Sequence, residues 1–315
     1  MKRRTILKGM AAASALPLLS GTTLSAFADQ RISIGTGGTG GLFYVIGAGM
    51  ADIINKSMPG TSARAEVTGA SIENIRRVVA GQMTFGFSSS STLFEAKNEQ
   101  GAFKKPQAVA AMAYLYPAVL QVATLKQTGV KTFGDLAGKS VSLGPPGSNS
   151  AVISQRILEA YGVFDKITPQ FLSYTEGTNA LVNGTVQAAS VLAGAPTAAL
   201  IDLDSQRDMV LIPVEEDKLG DLLEKYPFYQ IYEIKKETYS DLEGPVKVIN
   251  DPATIFTAAD ADEKLIYDIT KTLFTHLKEL GGIHPQAKAI SLEMATKTPI
   301  DLHPGAKKFF DEQPK

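Results

Sequence analysis

The chain has 315 residues, 44% of them apolar, no Cys, no Trp and a formal net charge of −1. Lack of Cys excludes a disulfide scaffold and thiolate chemistry, and the near balance of charge argues against a nucleic-acid surface. The length is enough for two lobes, each with a core of its own.

In chain order, residues 1–28 read as an export signal. Lys2, Arg3, Arg4 and Lys8 are its basic part, Met10 to Leu19 a modestly apolar part containing Pro17, and Ala26-Phe27-Ala28 an A-x-A cleavage site. Arg3-Arg4-Thr5-Ile6-Leu7-Lys8 resembles the twin-arginine signal, with the general secretory route as the alternative. Without these residues 27 Lys+Arg stand against 32 Asp+Glu, a formal charge of −5. No Cys follows the cleavage site to carry a lipid, and no stretch approaches the ~18 apolar residues of a membrane helix. The expected product is a free, soluble periplasmic protein.

The remainder states one pattern twice, about 110 residues apart. Ile32 to Gly35 reads as a strand running into Thr36-Gly37-Gly38-Thr39-Gly40-Gly41 and a helix whose face carries Phe43, Ile46, Met50 and Ile53. A strand over 63–67 follows, then a helix from Ser71 to Ala80, then a strand over 83–87 that opens into Ser88-Ser89-Ser90-Ser91. Val109 to Leu115 and Leu120 to Leu125 flank Tyr116-Pro117 and are expected to carry the chain into a second lobe. There Val141 to Gly144 runs into Pro145-Pro146-Gly147-Ser148-Asn149-Ser150 and a helix, followed by a helix around 177–182 and a strand over 188–192. Val246 to Phe256 is expected to return to the first lobe, and Asp262 to Leu280 reads as one long helix. The predicted lobes are 29–118 with 245–315, and 119–244. Two crossings form a hinge, with rotation expected at Tyr116-Pro117 and over Tyr229 to Ile234.

Each unit thus places a small-residue loop at the carboxyl end of its first strand, where open parallel sheets bind ligands. The predicted fold is α/β and two-lobed, with the ligand in the cleft. Gly35-Thr36-Gly37-Gly38-Thr39-Gly40 satisfies G-x-G-x-x-G, but the acid a dinucleotide needs at the next strand end is displaced, since Glu66 lies 26 residues past Gly40 and within the strand. A plain turn, a nucleotide site and a loop for a small anion remain as readings. A β-carbon at Gly38 is expected to obstruct a ligand approaching the backbone. Ser88, Ser90, Ser91, Ser148, Asn149 and Ser150 read as donors beyond strand ends, or as helix caps. His276, His284 and His303 lie far along the chain from these loops, so no serine has an evident base, and no spacing suggests a metal.

The motifs also carry a resemblance. Ile34 to Gly41 followed by Tyr44, Val67-Thr68-Gly69-Ala70-Ser71-Ile72-Glu73-Asn74, Leu115-Tyr116-Pro117, Gly144-Pro145-Pro146-Gly147-Ser148, Gly194-Ala195-Pro196 and His303-Pro304-Gly305-Ala306 occur in order. Together they resemble the TAXI family of solute receptors that serve TRAP (tripartite ATP-independent periplasmic) transporters. The resemblance implies the periplasmic binding-protein fold with two crossovers (type II), a small organic acid such as glutamate or 2-oxoglutarate as ligand, and TRAP membrane subunits as partners. Where many relatives carry Asp after the third strand this chain has Ser91, and where they have Gly-Ser-Gly-Thr it has Gly147-Ser148-Asn149-Ser150. A loss of negative charge and a gain of an amide are therefore expected in the pocket.

The expected protein is a receptor without catalytic activity, cofactor or metal, and a monomer. Gly37, Gly38 and Gly41 would offer backbone amides, and Ser71, Asn74, Ser148, Asn149 and Ser150 further donors. Tyr44 would line the apolar side, with Ser88, Ser90, Ser91, Gly194 and Pro196 completing the site. The alternatives are a receptor presenting ligand to a membrane sensor kinase and an exported nucleotide-dependent oxidoreductase.

Overall fold

A computed structural model describes residues 30–226 and 228–314, so the export signal lies outside the described residues. The first unit is β1 (Gln30–Gly35), α1 (Leu42–Ser57), β2 (Thr61–Glu66), α2 (Ser71–Val79) and β3 (Phe85–Ser89). β1 lies between β2 and β3, parallel to both, with Ile34 opposite Ala65 and Phe85. After α3 (Ser90–Lys97), β4 (Val109–Tyr116) and β5 (Val119–Leu125), the second unit follows as β6 (Ser140–Ser142), α4 (Asn149–Ala160), β7 (Thr168–Gln170), α5 (Tyr174–Val182) and β8 (Ala188–Ala193). β6 again lies between its two parallel partners, β7 and β8. The predicted repeat is therefore a repeat of topology, and both loops leave the carboxyl end of a central strand.

The chain continues through α6 (Ala198–Gln206), β9 (Met209–Leu211), α7 (Gly220–Lys225), β10 (Gln230–Ile234), β11 (Val246–Asn250) and β12 (Ala253–Ala258). It ends in α8 (Glu263–Thr275), α9 (Leu277–Ile283), α10 (Leu292–Ala295) and α11 (Pro304–Asp311). One sheet runs β2-β1-β3-β12-β4 and the other β10-β11-β5-β8-β6-β7, with β9 against β5. A buried cluster runs from Ile34 and Phe85 through Leu115, Tyr116, Ala118 and Val119 to Val191 and Leu200, so the hinge strands are packed into a core shared by both lobes.

The crossings are Pro117-Ala118, between β4 and β5, and Asp251-Pro252, between β11 and β12. The Asp251 N–H donates to the Ala118 carbonyl at 2.7 Å and ties them together. Two expectations change here. Val246–Asn250 pairs with β10 and β5 in the second sheet, which moves the return from 244/245 to 251/252. Residues 230–234 pair over their whole length with β11; a strand bonded throughout within one lobe cannot absorb rotation between lobes. The long C-terminal helix also divides at His276, whose backbone leaves helical geometry.

All three histidines have local structural partners. His303 is 1% exposed; its Nδ1 accepts from the Gly305 N–H at 3.2 Å and its Nε2 donates to the Ala261 carbonyl at 3.1 Å. His284 Nδ1 accepts from the Gln286 N–H at 3.1 Å, and His276 Nδ1 lies 2.7 Å from the Thr272 carbonyl. The His303-Pro304-Gly305 motif is thus a helix start: Pro304 sits in the first turn of α11, and a β-carbon at Gly305 would collide with the Glu263 carbonyl oxygen on α8.

Candidate functional site

Between the lobes, beyond the carboxyl ends of β1, β3, β6 and β8, lies a small cavity of about 20 Å³, room for roughly one water molecule. Its first-lobe wall is Gly37, Gly38, Gly41, Leu42, Phe43, Ala70, Ser71 and Ser89; its second-lobe wall is Pro145, Ser148, Asn149, Ser150, Tyr174, Leu192 and Ala193. No Asp, Glu, Lys, Arg or His stands among these lining residues. Their polar side chains are neutral, and helix starts are among them. The first turns of α1, α2 and α4 meet here, each with N–H groups that have no partner inside their own helix. Gly41 and Ala70, the residues capping α1 and α2, give no side-chain hydrogen bond to those helices. On α4 the Ser148 hydroxyl accepts from the Ala151 N–H at 3.3 Å. Three converging N-termini, each equivalent to roughly half a positive charge, favour an anionic or strongly accepting group without any cationic side chain.

The turn before α2 is held in an unusual shape. Ala70 has φ 70° and ψ −142°, a region that costs a residue with a β-carbon about 1–3 kcal/mol. It is fixed from both sides: the Thr68 hydroxyl accepts from the Ala70 N–H at 3.0 Å, and Glu73 Oε2 accepts from the Gly69 N–H at 2.6 Å.

Of the residues singled out by sequence, Gly37, Gly38, Gly41, Ser71, Ser148, Asn149 and Ser150 line the cavity; Tyr44, Asn74, Ser88, Ser90, Ser91, Gly194 and Pro196 do not. Asn74 is buried inside the first lobe, where its Nδ2 donates to the carbonyls of Thr36 (2.7 Å) and Phe87 (2.8 Å) and its Oδ1 accepts from the Thr68 hydroxyl at 2.7 Å. Phe43 rather than Tyr44 faces the cavity, its ring 5.2 Å from that of Phe87. In the serine run, Ser88 donates to the Ser89 carbonyl at 2.9 Å, Ser90 pairs with Thr254 at 2.9 Å and Ser91 pairs with Asp251. Gly194 accepts at its carbonyl from the Thr197 hydroxyl, and a β-carbon there would meet Leu42 at 2.6 Å. The expected obstruction at Gly38 also changes: a β-carbon there meets only Ser173 Cβ, at 3.9 Å, whereas at Gly41 it would stand 3.3 Å from both the Gly38 carbonyl oxygen and the Tyr174 ring. Around this loop a β-carbon is thus more crowded at Gly41 than at Gly38.

Sequence reading missed Tyr174, whose hydroxyl donates to the Leu192 carbonyl at 2.8 Å and accepts from the Leu192 N–H at 3.2 Å. Burial pushes its pKa up to about 12. The available signal was Ser173-Tyr174-Thr175-Glu176, a capping box that starts α5 at Tyr174.

Asp251 was missed as well. The carboxylate expected to be absent beside Ser91 is supplied by this hinge residue. Its Oδ1 accepts from the Ser91 N–H at 3.0 Å, and its Oδ2 accepts from the Ser91 hydroxyl and from Asn149 Nδ2 at 2.5 Å. Burial pushes its pKa up to about 6, against the pull of those donors.

The lobes touch around the cavity. The Ile72 N–H of the first lobe donates to the Gly147 carbonyl of the second at 3.1 Å. Arg156 on α4 donates to Glu95 on α3 at 2.6 Å and to the Tyr229 hydroxyl at 2.7 Å, in a pair only 12% and 6% exposed, and its guanidinium stacks 4.1 Å over the Tyr226 ring. Glu66, the acid a dinucleotide would require, is occupied elsewhere: Ser33 donates to it at 2.6 Å and Arg77 at 2.8 Å. A larger hollow of about 620 Å³, lined in part by Lys126, Asp208, Asp241 and Val246, lies at the end of β5 remote from the hinge and has no converging helix N-termini.

The family model described as NMT1-like matches residues 34–313. The chain belongs to the NMT1-like family. The fold is also that of solved binding proteins. The periplasmic aliphatic sulphonate binding protein SsuA from Escherichia coli is 17% identical, with 90% of this chain and 84% of that one covered at a TM-score of 0.50. A putative L-cystine ABC transporter protein from Listeria monocytogenes is 16% identical over 85% of this chain and 99% of its own, at 0.51. A binding protein component of an ABC phosphonate transporter from Pseudomonas aeruginosa is 11% identical over 84% and 80%, at 0.52. This NMT1-like chain therefore has the two-lobed α/β architecture of periplasmic solute-binding proteins. Among the described residues, no helix is long and apolar enough to cross a membrane.

Proposed function

We propose that this protein is an exported receptor, not an enzyme, that takes a small organic acid into the cleft between its lobes and delivers it to the membrane subunits of a transporter. One observation carries the reading: N-termini of helices from both lobes converge on one interlobe cavity with no charged side chain on its wall. Such a site holds a carboxylate or similar group through backbone N–H groups, and holds it fully only when the lobes are together. The named ligands of the structural neighbours, a sulphonate, a phosphonate and an amino acid, have anionic groups in common. Those neighbours belong to ABC systems; a TRAP-type secondary transporter as partner is supported by the sequence resemblance alone.

A thermal-shift screen of refolded, ligand-free protein against organic acids, amino acids, NAD, FAD and ATP tests the reading. An acid present at 100 times its dissociation constant should stabilise by about 2.7 kcal/mol, while the nucleotides should leave the melting temperature unchanged. Stabilisation by a nucleotide alone would overturn the proposal. For the partner, the neighbouring genes should encode multi-span TRAP subunits; an adjacent ABC ATPase would reassign it.

A further inference from the structure

Asn149 lines the cavity, is 1% exposed, and has its Oδ1 buried without a hydrogen-bond partner. Both protons of its Nδ2 are committed, one to Asp251 Oδ2 at 2.5 Å and the other to the Ser91 hydroxyl oxygen at 3.1 Å. Neither Asp251 nor Ser91 touches the cavity. An amide has two faces, and the position of the carboxylate decides which one the ligand meets. Turning the amide over would set its oxygen against the Asp251 carboxylate, acceptor against acceptor in a buried site, while the Nδ2 protons lost two partners. The Ser91 hydroxyl proton cannot relieve this, because it is already given to Asp251. The side chain is thus locked with one acceptor left over, on a residue that lines the cavity beside helix N-termini that offer donors.

We infer that Asn149, oriented by Asp251, sets the ligand class: an acid that carries an N–H or O–H donor next to its carboxylate, a 2-amino or 2-hydroxy acid rather than a 2-oxo or unsubstituted one. The inference rests on the organic-acid reading above and sharpens it. A carboxylate satisfies the backbone donors, and its 2-substituent satisfies Asn149 Oδ1. A ketone in the same place would put a second acceptor against that oxygen, and a methylene would leave it buried and unpaired. Sites built to hydrogen-bond one polar group discriminate strongly against analogues that lack it.

The test is calorimetry with matched sets: L-glutamate, 2-hydroxyglutarate, 2-oxoglutarate and glutarate, and the corresponding four acids of the leucine skeleton. In any set that binds, the amino or hydroxy member should bind wild type at least tenfold more tightly than the oxo and unsubstituted members. Asp251→Asn allows its own amide to donate to Asn149 Oδ1, so that Asn149 turns over and offers Nδ2 to the cavity. The preference against the oxo acid should then fall below threefold. Asn149→Ala should remove the preference by weakening only the donor-bearing acids, and carries the same test if Asp251→Asn does not fold. In the ligand-saturated complex, where the lobes are together, the side-chain amide protons of Asn149 should exchange slowly with deuterium in wild type and faster in Asp251→Asn. Equal binding of oxo and amino acids by wild type, or a preference that survives Asn149→Ala, would overturn the inference while leaving the organic-acid receptor in place. Failure of every acid to bind would remove that receptor reading and this inference with it.

Discussion

Two asparagines show how little residue type says about role. Asn74 and Asn149 are both buried amides in first turns of helices, yet Asn74 spends every polar atom within one lobe and Asn149 leaves one over at the cleft. Asn74→Ala strands two carbonyls and a hydroxyl, so it should lower unfolding stability by about 3 kcal/mol, read from denaturant midpoints, with ligand affinity nearly unchanged in the folded fraction. A large loss of affinity at intact stability would return Asn74 to the site. Asp251 gives a pH signature. Burial raises its native pKa to about 6, above the unfolded value of about 3.9, so between those values the native state holds more protons than the unfolded one. The contribution of this group to stability is full below about pH 3.9 and is lost as pH rises through about 6. Glu95 and Tyr229, the charged and titratable groups that act on it, and Arg156, which is bonded to both, are present in wild type and variant alike. Relative to Asp251→Asn, wild type should therefore lose stability from pH 4 to 6.5, measured by paired thermal melts; an opposite slope would mean that the donors from Ser91 and Asn149 outweigh desolvation.

Loops and helix starts meet across the cleft with little clearance. Gly69, in the turn that starts α2, faces the second-lobe loop that starts α4: a β-carbon there would stand 2.6 Å from the Pro146 carbonyl oxygen and 2.9 Å from Glu73 Oε2. The glutamate can move aside, but the carbonyl is backbone of the other lobe. Gly69→Ala should weaken ligand binding at least tenfold, about 1.4 kcal/mol, because the closed form brings it against the backbone of the other lobe. A variant that binds normally would show that closure does not bring these loops together. On the adjoining flank, α3 and α4 are joined through Glu95 and Arg156. Removing one partner of a buried pair is costly because the other charge is left unpaired in the interior. Glu95→Ala should accordingly disfavour the closed form, where Arg156 is buried, and weaken ligand binding; unchanged affinity would mean that the pair does not depend on closure.

At the scale of the molecule, the cavity between the lobes holds about 20 Å³, too little for an amino acid, so the proposed ligand requires the lobes to stand further apart than they do here. The two crossings are short, are tied by the Asp251–Ala118 hydrogen bond and sit in a core shared by both lobes. These features suit a hinge that turns about one fixed line rather than a loose linker. Small-angle scattering should give a larger radius of gyration for ligand-free protein than for the saturated complex, and Gly69→Ala should remain at the larger value in both. Identical wild-type profiles would mean that the site opens by loop movement alone.

The sequence by itself determined the repeated α/β unit, the two small-residue loops and the strand ends from which they rise, because hydrophobic period, glycine position and chain order are local properties. It also placed seven of the cavity-lining residues, all of them in the loops and helix starts that a parallel sheet exposes at its carboxyl edge. Tertiary structure alone decided the sheet to which Val246–Asn250 belongs, since a short apolar strand pairs equally well with either edge until the lobes are assembled. It likewise decided the serine run, where Ser89 lines the cavity and its neighbours Ser90 and Ser91 are taken up by Thr254 and Asp251 from more than 150 residues away along the chain. Asp251 itself has no motif around it. Its place beside Ser91 and Asn149 comes from three distant segments meeting at the hinge, and no pattern within any one of them records that meeting.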